Sequence, residues 1–223
     1  MNRKRTAILI SGRGSNMMSL VEAASAAGYP AQVVAVMSNR PDAAGLAWAS
    51  ERGLATGVID HKHYATREAF EIEIDQALRN AGAELVCLAG FMRVLTATFV
   101  ARWQGRLLNI HPSLLPSFKG LHTQEQALAA GVRIAGCTVH FVVPEMDAGP
   151  IIAQAAVPVL QGDTPETLSD RILAVEHKLY PHALHLVASG TARMAADLTE
   201  FTLSNEQVNL SNCLYSPPLP RLS

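Results

Sequence analysis

Asn109 and His111 stand two residues apart at the end of an apolar run, and Asp147 follows a later one. Alternate residues of a strand share a face, so a carboxamide and an imidazole would point the same way. Both can donate to an oxygen on which negative charge develops, and a carboxylate beside the histidine favours its charged form. The residue types suit an oxyanion site with a histidine acid. Polar residues of these kinds also simply close loops, and spacing alone does not choose.

A second segment of interest is Ser11-Gly12-Arg13-Gly14-Ser15-Asn16, behind the first apolar run. Glycines there let the backbone turn tightly and expose amides at a helix start, a ready anion site. Arg13, Ser15 and Asn16 add donors, which favours a phosphate over a bare turn. A dinucleotide fits poorly. Met17 replaces the third glycine of G-x-G-x-x-G, and Asn39 stands where a ribose-binding acid is wanted. A third segment is Ala89-Gly90-Phe91-Met92-Arg93-Val94. His61 and His63 have metal-like spacing but no third ligand in view, so they read as surface residues. His182 and His185 lie a turn apart on or beside the last helix, and His140 reads as a packing or supporting residue. Met17, Met18 and Cys87 read as core.

Elements must bring these segments together. Apolar runs at residues 6–10, 32–37, 56–59, 85–89 and 107–110 have strand length. Helical patterns at 15–27, closed by Gly28, up to 52, closed by Gly53, and at 66–80 separate them. Phe70, Ile74 and Leu78 form one stripe of the third helix. Strands apolar on both faces, alternating with helices, predict an α/β fold with a doubly wound, mostly parallel sheet. Ligands of such sheets bind beyond the carboxyl ends of the strands. Further on, a helix at 123–130, strands at 137–143 and 151–157 and a helix at 165–188, capped by Asp163 or Thr164, are expected. The later strands are partly antiparallel. Beyond residue 190 the pattern is weak, and Ser216-Pro217-Pro218-Leu219-Pro220 reads as a frayed end.

With 223 residues, 49% hydrophobic and 17% charged, the chain can bury a continuous core. A net charge of -1 argues against a general polyanion binder, so no nucleic-acid partner is expected. No run approaches the roughly 20 apolar residues that cross a bilayer. Cys87, Cys137 and Cys213 are scattered, without C-x-x-C. The expected setting is the cytoplasm, with no metal and no membrane partner.

Six segments together resemble the folate-dependent formyltransferase family, in order along the chain: Ser11 to Asn16, Leu88 to Arg93, Leu108-Asn109-Ile110-His111-Pro112-Ser113-Leu114-Leu115-Pro116, Gly120 to Thr123, Thr138 to Phe141, and Asp147 to Ile152. The glycine loop, with Glu176-His177 and Tyr180-Pro181, is similar to members that act on glycinamide ribonucleotide. The resemblance implies a Rossmann-like fold and transfer of a formyl group from 10-formyltetrahydrofolate to a ribonucleotide amine in purine synthesis. It implies that Gly14, Ser15 and Asn16 hold the phosphate, and that Glu176 holds the amine or ribose. Arg67, Met92, Arg93, Val94 and Leu95 would bind the folate, with Val143 to Asp147 closing its pocket. Asn109 and His111 would stabilise the oxyanion, and Asp147 would keep His111 charged. Residues 1–190 would form one catalytic domain, with a nucleotide half to about 105 and a catalytic half from about 106, followed by a tail at 191–223. A monomer or weak homodimer is expected. Members acting on transfer RNA carry a further β-barrel, for which no room is expected here.

Overall fold

The computed structural model describes residues 3–202. Each apolar run of the first half forms a strand: β1 (Lys4–Ile10), β2 (Ala31–Ser38), β3 (Thr56–Val58), β4 (Leu85–Leu88) and β5 (Leu107–His111). These pair in parallel, whereas β6 (Ile134–Phe141) and β7 (Ile151–Pro158) continue the sheet antiparallel. The sheet order is β3-β2-β1-β4-β5-β6-β7.

Neighbours along a strand face opposite ways, so each strand feeds two cores. Ile8 and Ile10 pack with α1 (Ser15–Ala24), α2 (Ala44–Ser50), α5 (Thr123–Ala129) and the long α6 (Pro165–Ala188). Ala7 and Leu9 pack on the other side with α3 (Arg67–Asn80) and α4 (Ala97–Arg102), including Phe70, Ile74, Leu78 and Phe99. The result is the expected doubly wound architecture. β1 has β2 on one side and β4 on the other, so the crossovers diverge there. Such a switch point opens a crevice at the carboxyl ends of the strands.

Several local expectations are corrected. α1 stops at Ala24, three residues before the expected end, and Gly28 does not cap it. The Arg3 guanidinium instead reaches the Ala24 carbonyl, occupying an orphan acceptor of the last turn. α4 was not foreseen: it has only six residues, and its signal is the cap, Thr96 Oγ1 accepting the Phe99 N–H at 3.3 Å. β6 begins at Ile134 and ends at Phe141, ahead of the expected 137–143. Past Gly190 the chain forms a hairpin, β8 (Ala192–Ala195) and β9 (Leu198–Phe201). Its turn, Ala196-Asp197, lacks the usual glycine signal, although Ala196 has φ 49°. Cys213 and the Ser216–Pro220 stretch lie outside the described residues.

α6, which carries the buried Glu176, is held at its start and along its length. Thr164 and Thr167 form a capping box at its start, and Pro165 follows at the first helical position. One turn after Glu176, the buried Tyr180 hydroxyl lies 3.1 Å from both the Leu88 and Leu108 carbonyls, at β4 and β5. None of the helices among the described residues is long and apolar enough to cross a membrane.

Candidate active site

β5 persists to His111, so Asn109 and His111 do share a face. Pairing with β6 sets His140 opposite Asn109. The His140 Nδ1 lies 2.8 Å from the Phe141 carbonyl, which can only accept, so the proton sits on Nδ1. Nε2 is then a lone pair, 3.2 Å from Asn109 Nδ2, and accepts one of its two N–H bonds. The other N–H of Asn109 has no partner among the described residues. His140 is buried, and that burial pushes its pKa below the ordinary histidine value, keeping the ring neutral.

The depressed pKa makes a pH prediction. The unfolded chain binds the His140 proton near the ordinary value of about 6.5, before the folded one does. The stability from keeping this ring neutral is full above that value and is lost as pH falls below it. His140→Gln should therefore flatten the decline of Tm between about pH 6.5 and 5. Thermal melts with equal slopes would refute the assignment.

Asp147 stands in the loop after β6, with φ 50°. Its Oδ2 lies 3.4 Å from His111 Nδ1 and accepts the Gly120 N–H at 2.9 Å; its Oδ1 lies 3.9 Å from His140 Nε2. The other His111 nitrogen, Nε2, is 3.0 Å from the Phe118 carbonyl. Both neighbours of the His111 ring are acceptors, an arrangement suited to an imidazolium. The loop supplying Phe118 and Gly120 is itself held from the sheet. Thr138 Oγ1 donates to the Ser113 carbonyl at 2.7 Å and accepts the Leu115 N–H at 3.0 Å. The Leu115–Pro116 peptide is cis.

Gly149 lets the Asp147 loop fold back onto β6. A Cβ there would overlap the Phe141 carbonyl oxygen. Gly149→Ala should displace Asp147 and cost about 10²-fold in turnover, as ångström-scale misplacement of reacting groups does. Steady-state kinetics beside a circular-dichroism check of folding would measure it.

At the switch point, Gly14 adopts φ 73° and opens α1, with Ser15 and Asn16 in the first turn. Asn16 Nδ2 donates to Glu176 Oε2 at 2.7 Å, joining residues 160 apart in sequence. Both are buried, and burial raises the Glu176 pKa against the opposing pull of the Asn16 bond. Asn16 Oδ1 is also buried, with no partner among the described residues.

The remaining expected positions lie in two places. Met92 and Val94 are exposed and Leu95 is buried in the segment between β4 and α4. Among the described residues nothing bonds to the main-chain N–H and C=O groups of Arg93, Val94 and Leu95. Arg67 is exposed on the first turn of α3, and Val143 lies in the Asp147 loop. Glu71, four residues after Arg67 and thus on the same face, bonds Thr96 at the end of the 89–96 segment. Sequence reading singled out the segments that hold Ser11, Gly120 and Gly149 but gave these three residues no role, and it did not single out Glu71. Among the described residues no group of three or more His, Cys, Asp or Glu is placed to hold a metal.

Residues 4–184 match the family described as formyl transferase. The chain is 53% identical over 192 residues to the trifunctional purine biosynthetic protein adenosine-3 of Bos taurus, a stretch covering 86% of this chain. It spans only 19% of that relative's length. It is 43% identical over 187 residues to the phosphoribosylglycinamide formyltransferase of Escherichia coli, covering 84% of this chain and 88% of that one. The fold is similar to that of glycinamide ribonucleotide transformylase 1 from Symbiobacterium toebii, with TM-score 0.87 and 45% identity over 89% of this chain and 94% of that one.

Proposed function

The chain belongs to the formyl transferase family, and we propose that it moves the formyl group of 10-formyltetrahydrofolate onto the amine of N1-(5-phospho-D-ribosyl)glycinamide, in purine synthesis. The observation that carries this reading is the convergence of Asn109, His111 and Asp147 at the carboxyl end of β5. The names of the relatives support the ribonucleotide as acceptor.

The chemistry follows from what each side chain has left to offer. The amine nitrogen bonds to the formyl carbon, and the carbonyl electron pair moves onto oxygen. The remaining N–H of Asn109 donates to that oxyanion. His111 Nε2–H is spent on the Phe118 carbonyl, so the oxyanion must displace that acceptor to take it. The electron pair then returns to re-form the carbonyl as the bond between the formyl carbon and the folate nitrogen breaks, while Asp147 balances the imidazolium and takes part in moving the proton that the amine loses and the departing folate nitrogen gains. Direct attack leaves positioning and charge stabilisation as the protein's contribution.

Binding roles follow the same logic. Gly14, Ser15 and Asn16 offer a helix start to the phosphate, and Glu176 offers an acceptor to the amine or ribose. The free main-chain groups of residues 93–95, with exposed Met92 and Val94, fit the polar edge and apolar faces of a pterin. Val143 closes that side, and Arg67 suits an anionic glutamate tail. Residues 1–190 are read as one catalytic domain. The test is to mix protein, 10-formyltetrahydrofolate and the ribonucleotide and to follow the formylated product. Formate release independent of the ribonucleotide, or no product, would refute the proposal.

A further inference from the structure

Residues 89–96 have no regular structure, and the middle of the segment is open, with Met92 65% and Val94 57% exposed. A loop with so few internal bonds would be expected to sample many shapes. Buried side chains from distant parts of the chain instead hold it on either side of residues 93–95. On the near side, Ser11 Oγ accepts the Met92 N–H at 2.8 Å and donates to Asn39 Oδ1 at 2.6 Å. At the far end, Glu71 Oε1 accepts the Thr96 N–H at 2.8 Å, and Oε2 accepts the Thr96 hydroxyl.

Glu71 is an unusual anchor. It is buried on the inner face of α3, and among the described residues no cation pairs with it. Its described hydrogen bonds all go to Thr96. A buried carboxylate is costly unless its lone pairs are satisfied, and bonds from neutral donors to a charged acceptor are among the stronger ones. Ser11 is equally committed: its hydroxyl is used inside the protein, on a strand end next to the glycine loop. Between the two anchors, Leu95 is buried in the α3–α4 core. Among the described residues, no partner bonds to the main-chain groups of Arg93 to Leu95.

We propose that Ser11 and Glu71 are positioning residues for the formyl donor, clamping residues 92–96 so that the free main-chain groups stay preset for its heteroaromatic edge. This rests on reading the segment as the folate site. Presetting a loop removes ordering cost from binding, so the benefit falls on donor affinity. Losing one anchor should weaken donor binding about tenfold, the usual scale of one buried hydrogen bond left unmade.

The experiment measures both Michaelis constants for Glu71→Ala, Glu71→Gln and Ser11→Ala. It adds hydrogen exchange of the peptide covering 89–96 with and without tetrahydrofolate. The expected result is protection of that peptide by tetrahydrofolate and a KM for 10-formyltetrahydrofolate raised about tenfold in Glu71→Ala and Ser11→Ala. The KM for the ribonucleotide should move by less than about twofold, and Glu71→Gln, which keeps an acceptor for the Thr96 N–H, should recover most of the loss. If tetrahydrofolate protects the peptide but neither alanine variant changes the donor KM, the clamp is refuted and the folate site stands. If tetrahydrofolate gives no protection, the folate site fails and the clamp with it. Equal rises in both Michaelis constants, with no recovery in Glu71→Gln, would mark general destabilisation and also refute the clamp. Should Glu71→Ala not fold, Glu71→Gln and Ser11→Ala decide between the same outcomes.

Discussion

Asn109→Ala is expected to lower kcat about 10²–10³-fold, the usual cost of one oxyanion donor, while the Michaelis constant for the ribonucleotide changes little. In the proposed mechanism the asymmetry arises because one Nδ2–H is committed to His140, while the other, without a partner among the described residues, would meet charge that exists only during the reaction. Truncation also leaves His140 Nε2 buried without its donor, so a fall in stability of about 1–3 kcal/mol should accompany the rate loss. Steady-state kinetics with both substrates, beside urea melts, separate the two effects. Unchanged kcat would remove Asn109 from the chemistry.

Asp147→Asn is expected to cost about 10²–10⁴-fold in kcat, the range for one positioned proton-transfer group. The substitution is clean. Asparagine tolerates the left-handed backbone at φ 50° as readily as aspartate does, and its side-chain oxygen can still accept the Gly120 N–H. What it removes is the negative charge 3.4 Å from His111 Nδ1. Rate should therefore fall far more than Tm. A variant within about tenfold of the parent would show that the charge is dispensable. Asp147→Ala would lose the loop bond as well and so tests less.

How much of this was legible in the chain depends on the range of each interaction. β1, β2, β4 and β5 could be read because a strand covered on both faces is a continuous apolar run. α3 could be read because Phe70, Ile74 and Leu78 keep a helical spacing, and α6 because Thr164 and Pro165 announce its start. α4 could not, since six residues hold too few turns for a period to stand out. The β8–β9 hairpin was hidden because its turn uses Ala196 and Asp197 where glycine or asparagine would have signalled it. α1 ends early, and the Ala24 carbonyl of its last turn is met by Arg3, a residue that a local reading of the helix cannot consult.

The same division runs through the candidate site. Asn109 and His111 sharing a face follows from strand periodicity alone. The motifs around them carried the family resemblance without any geometry, and the reading of the Gly14 loop as an anion site came from glycine and helix-start chemistry. Three pairings had to wait for the tertiary structure. His140 meets Asn109 because antiparallel register sets residues 31 apart in sequence across from one another. Asn16 meets Glu176 because α6 packs over the start of α1. Asp147 meets His111 because Gly149 allows its loop to press against β6. The residue types and their local spacing thus determined which chemistry the chain can host and on what class of fold. Which groups touch, and therefore which N–H of Asn109 is left without a partner among the described residues, was decided by strand register and loop packing. Those depend on contacts between residues far apart in the chain, on which local composition and periodicity carry no information.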